Sequence, residues 1–381
     1  MKYLFIVQGE GHGHLTQALA LKEILTARGH EITEVLVGKS GKDQELPAFF
    51  ARKIEAPVAR FSSPGICLRA DGKRGTLSHS IFRACRKLPD YLHSMHFLKQ
   101  RIESSGADVV VNFYEILCGL TYLFLMPSLP QVCIGHQYMF LHRSFAFPMA
   151  SGRRRLRALR FFTRLTCLEA AECLALSFYA QAPDEKNGIT VVPPLLRGEV
   201  LHRTPQPGNH IHGYMLNSGF EKELYGWHEA HPEIPLRFYR KKKGAPEVWR
   251  ADSTLSVCQP DGTSFLDSLS RCRAYATTAG FESVCEAMYL GKPVMMVPTH
   301  VEQECNAFDA ARCGAGIWSD DFDLSPLLDF SENYRPHAQF PAWARSAAGR
   351  IATRLEQIAA GSVQHTPQAD RHPAKPEWAV M

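Results

Sequence analysis

The sequence predicts an α/β protein of two doubly wound domains facing a cleft. Three observations carry that expectation. The chain has 381 residues, too many for one comfortable core, and domains of roughly 100–200 residues are the usual solution. Short runs rich in Val, Ile and Leu alternate with helix-like stretches in both halves, the habit of parallel sheets covered on both faces. Between the halves lies "ITVVPPLLRGEVLHRTPQPGNH" (189–210), where four prolines and two glycines interrupt any regular element.

In chain order, "YLFIV" reads as the first strand, followed by a glycine loop and a helix over 15–28. "EITEVLVG" is the next strand, then a helix near 79–104, the strand "ADVVVNF", a helix over 115–126 and the strand "QVCIGHQ". After the proline-rich seam the pattern returns with "HIHGYML", "IPLRFYR", "STLSVCQ", "AYATTA" and "KPVMMVP" as strands and helical stretches between them. The expected boundaries are 1–195 for the first domain and 205–361 for the second, with 362–381 a polar, proline-punctuated, loosely ordered tail.

Composition narrows the class. Hydrophobic residues make up 45% and charged residues 21%, which excludes a disordered or fibrous chain. Eleven cysteines without a CxxC pair or a Cys/His cluster argue against a disulfide framework or a structural metal and fit a reducing cytoplasm. The run Tyr3 to Val7 is shorter than the apolar region of about 7–15 residues in a signal peptide, and "ILCGLTYLFLMPSLP" (116–130) is shorter than a spanning helix. Much of the net charge of +5 sits in "SGRRRLRALRFFTRL" (151–165) and "RFYRKKK" (237–243). Arg153, Arg154, Arg155, Arg157, Arg160 and Arg164 share a helical stretch with Leu156, Leu159, Phe162 and Leu165, a basic amphipathic pattern suited to the inner face of an anionic membrane. A solvated charged helix face gives the same pattern. No nucleic-acid motif accompanies these arginines, so no nucleic-acid partner is expected.

The second half holds the sharper functional signal. In "TTAGFESVCEA" (277–287) a strand passes through Ala279 and Gly280 into a helix, the place where open α/β sheets bind ligands and where helix N–H groups attract phosphate. Glu286, one turn in, is spaced to accept hydroxyl donors from a ribose. "THVEQECNA" (299–307) crowds Glu302, Gln303 and Asn306 at another strand end, an acid–amide set suited to vicinal sugar hydroxyls. Capping or solvating helix N-termini would use the same residue types. "CQPDGTSFLDSL" (258–269) offers Gln259 and Phe265 to a nucleotide base, with Phe265 equally suited to the core.

Together these runs resemble the donor signature of nucleotide-sugar glycosyltransferases of the GT-B fold, which in the UDP-glycosyltransferases reads T-H-x-G-x-N-S-x-x-E-A, G-x-P and D-Q-x-x-N-A. The matching residues are Thr277, Gly280, Ser283, Glu286, Ala287, Gly291, Pro293, Gln303, Asn306 and Ala307. The resemblance implies two Rossmann-like domains, diphosphate at Gly280 and Ser283, ribose at Glu286, and donor sugar at Glu302 and Gln303. Thr278 replaces the family's phosphate-binding histidine and Glu282 its asparagine, so phosphate contact leans on backbone, Thr278 and Arg197. Arg197, in "PPLLRGEV", occupies a place similar to an arginine of the bacterial lipid-intermediate N-acetylglucosaminyltransferases.

The opening loop "GEGHGH" (9–14) half fits a dinucleotide fingerprint, but His14 stands where the third glycine belongs. Gly11, Gly13, His14 and Leu15 match the family's G-x-G-H-[LIV] instead, whose histidine is the catalytic base in the plant-type enzymes. A histidine with an ordinary pKa near 6.5 takes a hydroxyl proton at neutral pH. His12 is the competing candidate, and helix capping is the alternative use of both. The family's orienting aspartate aligns with Asn112 in "ADVVVNFYE", so either Glu115 substitutes or His14 works unassisted. "GHQYMFLHRSFAFP" (135–148), with His136, is expected at the acceptor side of the cleft.

The expected function is therefore inverting transfer of a sugar, most simply from a UDP-sugar, to a hydroxyl of a lipid, glycan or small molecule. The nucleotide sugar is a co-substrate, and neither a cofactor nor a metal is expected, since no DxD motif occurs where one is needed. A nucleotide-sugar 2-epimerase of the same fold and a non-catalytic nucleotide-sugar-binding protein remain the alternatives.

Overall fold

A computed structural model describes residues 1–41, 46–64, 87–216, 218–242 and 244–361. The tail expected at 362–381 and the first part of the helix expected near 79–104 lie outside the described residues.

The first sheet contains β1 (Lys2–Gln8), β2 (Glu31–Lys39), β3 (Val58–Ser62), β4 (Val109–Phe113), β5 (Gln131–Gly135), β6 (Glu172–Leu176) and β7 (Ile189–Val192). All its pairings are parallel, in the order β3-β2-β1-β4-β5-β6-β7. In β1 the period of two sends Tyr3, Phe5 and Val7 into the largest core cluster and Leu4 and Ile6 into a second one on the opposite face. This is why the strand is an unbroken apolar run. Burying each such side chain contributes roughly 1.5–3 kcal/mol. The connecting helices are α1 (Gly13–Ala27), α2 (Ala48–Lys53), α3 (Leu88–Ser104), α4 (Ile116–Leu125) and α5 (Arg153–Thr166).

The one-turn α6 (Gly198–Leu201) lies in the connection to the second sheet, which has the order β10-β11-β9-β8-β12-β13-β14. Its strands are β8 (Ile211–Tyr214), β9 (Leu236–Tyr239), β10 (Val248–Arg250), β11 (Leu255–Cys258), β12 (Ala274–Thr277), β13 (Val294–Met296) and β14 (Gly316–Trp318). Only the edge pair β10 and β11 is antiparallel. Its helices are α7 (Glu221–Ala230), α8 (Gly262–Arg271), α9 (Phe281–Tyr289), α10 (Val301–Arg312), α11 (Ser325–Asn333), α12 (Phe340–Arg345) and α13 (Ala347–Ala359). Both sheets therefore reverse direction at a switch point, between β1 and β4 in the first and between β8 and β12 in the second, where such sheets open a crevice at their carboxyl ends.

Several elements differ from the sequence expectation. The basic helix ends at Thr166, as its sequence suggests, but "ECLAL" just beyond it, given no element above, is strand β6, a five-residue run buried at every position. The start of the proline-rich seam is also regular, because Ile189–Val192 completes the first sheet as β7. The expected second domain gives its last helix back to the first. Glu356 of α13 pairs with Arg28 at 2.8 Å and His30 at 2.8 Å, Arg354 with Glu172 at 2.6 Å, and the Trp343 indole donates to the Ser177 carbonyl at 2.9 Å. No described helix is long and apolar enough to cross a membrane.

Candidate active site

The first wall forms where β1 ends. Gly11 takes φ +81°, a left-handed conformation that glycine adopts without strain, and the chain then turns into α1. His12 holds the N-cap position without a side-chain capping bond; its carbonyl accepts from the Thr16 amide at 2.9 Å. Its ring meets Phe49 edge-on, and burial, aided by Lys241 and Lys39, lowers its pKa to about 4. His14 follows in the first turn, half-buried. Its ring stacks on Tyr114, centroids 5.5 Å apart and planes 25° apart, and Nδ1 lies 3.3 Å from Gln17 Oε1. Burial lowers the His14 pKa, while the Glu302 charge and the Gln17 hydrogen bond work against that shift.

Tyr114 is the residue that sequence reading missed. It follows β4 directly, adopts φ +61° although not a glycine, and is anchored by a 2.8 Å bond from its hydroxyl to Thr163. Strained backbone of this kind costs about 1–3 kcal/mol and persists only where the surroundings enforce it. The signal was the aromatic immediately beyond an apolar strand.

The second wall forms where β12 ends. Ala279 takes φ +60°, and Gly280 begins α9 with φ −68° and no side-chain cap. A Cβ at Gly280 would find only Ser283 Oγ, 3.6 Å away, so the chain has room beside the start of α9, where helix N–H groups can attract an anion. Ser283 itself bonds back to the Gly280 carbonyl at 3.1 Å, and Thr278 is buried beside them. Gln303 Oε1 accepts from the Thr299 amide at 2.9 Å and hydroxyl at 2.8 Å. Glu302 Oε1 accepts from Gln137 Nε2 of the first domain at 2.9 Å. Asn306 donates to the Ala279 carbonyl at 3.3 Å, and its buried Oδ1 has no protein partner. An orphaned acceptor of that kind suits a polar ligand.

The two walls touch. Gln17 Nε2 donates to Glu282 Oε1, and a Cβ on Gly13 would stand 2.7 Å from Glu282 Oε2, so Gly13 makes room for that carboxylate. Burial, with help from Glu302, lifts the Glu282 carboxyl to about 7.

Other expected site residues are committed elsewhere. Asn112 is fully buried, donating to the Gln131 side chain and the Thr166 carbonyl, each at 2.9 Å, and accepting from the Glu115 amide at 2.8 Å. It therefore locks a strand end rather than orienting His14. Glu115 caps α4 through the Leu117 amide at 3.1 Å and accepts from Ser63 at 2.6 Å; burial raises its pKa to about 7. Arg197 and Glu286 form a bidentate pair at 2.7 and 2.8 Å, so the guanidinium expected at phosphate and the carboxylate expected at ribose neutralise each other. Gln259 bonds the Lys242 carbonyl at 2.6 Å and holds a backbone turn, and Phe265 packs edge-on against His212 and Tyr239 as core. His136 is buried between the domains, stacked on Phe281 at 3.9 Å with Nδ1 2.7 Å from the Leu176 carbonyl, rather than lining an acceptor pocket. Packing engages each of these groups, although Glu115 Oε2 and His136 Nε2 stay buried without a hydrogen-bond partner.

Known proteins share this fold. The structure is similar to the glycotransferase of kitacinnamycin (TM-score 0.62, 16% identity, 93% of this chain and 98% of that one). It is also similar to Arabidopsis thaliana UGT89C1 complexed with UDP (0.62, 15%, 95% and 99%) and to the calicheamicin glycosyltransferase CalG4 (0.59, 15%, 96% and 99%). UGT89C1 has also been solved with UDP-L-rhamnose and with quercetin. No curated protein matches the chain by sequence. The family model "Glycosyl transferase family 1" matches residues 1–334, and the chain belongs to that family of GT-B glycosyltransferases.

Proposed function

We propose that the protein moves a sugar from UDP to an acceptor hydroxyl with inversion. The observation that carries this reading is the meeting of two walls. A half-buried histidine at the carboxyl end of β1 faces, across one side-chain contact, the uncapped first turn of α9. The acceptor oxygen attacks the anomeric carbon as its bond to the diphosphate oxygen breaks, and the hydroxyl proton passes to His14 Nε2. The lowered pKa of His14 keeps it neutral and ready to accept. N–H groups after Gly280 receive the departing negative charge, so a divalent cation is not required. The likeness to UGT89C1, solved with UDP and with UDP-L-rhamnose, supports UDP as the carrier, and its quercetin complex supports a hydroxylated small-molecule acceptor.

A membrane surface is a further proposed partner. Leu156, Leu159 and Phe162 of α5 pack inward, and Arg155 pairs with Glu304 at 2.9 Å. Phe161 stays 61% exposed beside exposed Arg153, Arg154 and Arg157, and Phe124 and Met126 at the end of α4 are 64% and 75% exposed. Apolar side chains ringed by arginines suit anionic lipid. Co-sedimentation with phosphatidylserine vesicles that survives R153E/R154E/R157E rules it out.

The direct test is thermal-shift screening with UDP-, dTDP- and GDP-sugars, followed by donor hydrolysis in wild type and His14→Ala. A raised Tm with UDP-sugars and hydrolysis dependent on His14 are expected. If no nucleotide sugar raises the Tm, the reading fails.

A further inference from the structure

The groups expected to orient His14 bond elsewhere: Asn112 to the Gln131 side chain and the Thr166 carbonyl, and Glu115, through Oε1, to Ser63 and the Leu117 amide, while the hydrogen-bond partner of His14 is Gln17. The carboxylate that does reach the first turn of α1 comes from the other domain. We propose that Glu282 positions His14 through Gln17, so that the base is set only when the two domains are in contact. The inference rests on His14 being the base.

The hydrogen-bond directions fix the argument. His14 and Gln17 are three residues apart on α1 and so share a face. Gln17 is only 1% exposed, and its amide nitrogen donates to Glu282 Oε1. That leaves the amide oxygen, 3.3 Å away, turned to His14 Nδ1. A carbonyl oxygen only accepts, so Nδ1 must carry the proton and Nε2 keeps its lone pair. The Tyr114 ring holds the opposite side of the imidazole.

The opening loop is shaped around this contact. With any side chain at position 13 a Cβ would lie 2.7 Å from Glu282 Oε2, so glycine is what lets the carboxylate approach. Glu302 and Glu286 are the other charges acting on Glu282, and Glu302 also acts on His14. When His14 takes the acceptor's proton, the imidazolium donates Nδ1–H to Gln17. Glu282 then lies one amide away, with Glu302 near, to balance the new charge. Glu282 is thus a positioning residue, and it stands 265 residues from Gln17 in the chain.

The test uses the full-length protein with 15N-labelled histidine, the His14 signals being identified by their loss in His14→Gln. In wild type His14 is expected as the Nδ1–H tautomer, and in Glu282→Ala as a mixture of tautomers. With UDP-glucose as donor probe, Glu282→Ala is expected to lower kcat for donor hydrolysis roughly 10- to 100-fold, the cost of a misplaced catalytic group. Its KM should not rise, because the α9 backbone donors remain and a negative charge beside the proposed diphosphate site is removed. The exchanged pair Q17E/E282Q puts a carboxylate directly on Nδ1 and an amide donor behind it, and should recover most of the lost kcat; it also serves if Glu282→Ala does not fold. An Nε2–H tautomer in wild type, a wild-type kcat in Glu282→Ala, or an exchanged pair no better than Glu282→Ala overturns the proposal. Full activity in His14→Ala overturns the base itself, while the tautomer measurement still judges the relay separately.

Discussion

The two domains place the same kind of loop at the same kind of switch point and use it in opposite ways. After β1 and β4 the first domain presents side chains: His14, with Tyr114 behind it and Gln17 beside it. After β12 the second domain presents backbone, a turn without a side-chain cap where a Cβ on Gly280 would meet only Ser283 Oγ. Each site carries one non-glycine residue forced into left-handed φ, Tyr114 at +61° and Ala279 at +60°. The difference suits the roles proposed for the two loops. A proton needs a titrating group, whereas a diphosphate needs several fixed donors and a helix dipole, which backbone supplies without losing side-chain freedom.

The sharpest way to break that contrast is to delete the side chain that defines the first site. His14→Ala should lower sugar transfer by about 10²–10⁴-fold, the usual share of a general base, while the Tm rise on adding UDP is unchanged. If UDP binding is lost as well, the two walls do not divide the labour. Next in size is the Arg197–Glu286 pair behind the second site. Arg197→Ala leaves a buried carboxylate, 4% exposed at its side chain, without its cation, and urea unfolding should show a loss of about 3–5 kcal/mol.

Gly280→Val sharpens the comparison in the other direction. Gly280 has φ −68°, which valine adopts, so the free protein should keep its Tm; its branched side chain would cover the open N–H groups, and UDP affinity should fall at least about tenfold by calorimetry. The smallest effect is the pH dependence of stability. Burial raises Glu115 to about 7 from an ordinary 4.5, so between those values the folded chain holds a proton that the unfolded chain has released. Stability therefore falls as pH rises through that window, and Glu115→Gln should flatten the fall in denaturation curves taken from pH 4.5 to 7. Buried His136, lowered to about 4, works with the opposite sign, losing stability as pH falls from 6.5 toward 4.

The residues read most securely from the sequence are those whose role is local. The strand "YLFIV", the loop "GEGHGH" and the helix start at Gly280 each follow from neighbours within a few positions, and the structure has all three. "ECLAL" gave no readable signal because a five-residue apolar run carries no periodicity of its own, and its place as a strand depended on β5 and β7 lying beside it. The same limit explains α13, whose docking on the first domain rests on Arg28, His30 and Glu172, far away in sequence.

Charged and polar side chains show the boundary most clearly. The two doubly wound domains, the strand-to-helix turn at Gly280 and the glycine loop leading to His14 are legible in the chain alone, because hydrophobic period and backbone chemistry act over short range. The partners of the polar side chains follow from the fold. Arg197 goes to Glu286, Glu115 to Ser63, and Gln17 to Glu282 across 265 residues. A buried charge or amide takes whichever complementary group the fold brings within about 3 Å, and the identity of that group is written in the packing of the domains rather than in the spacing of the chain.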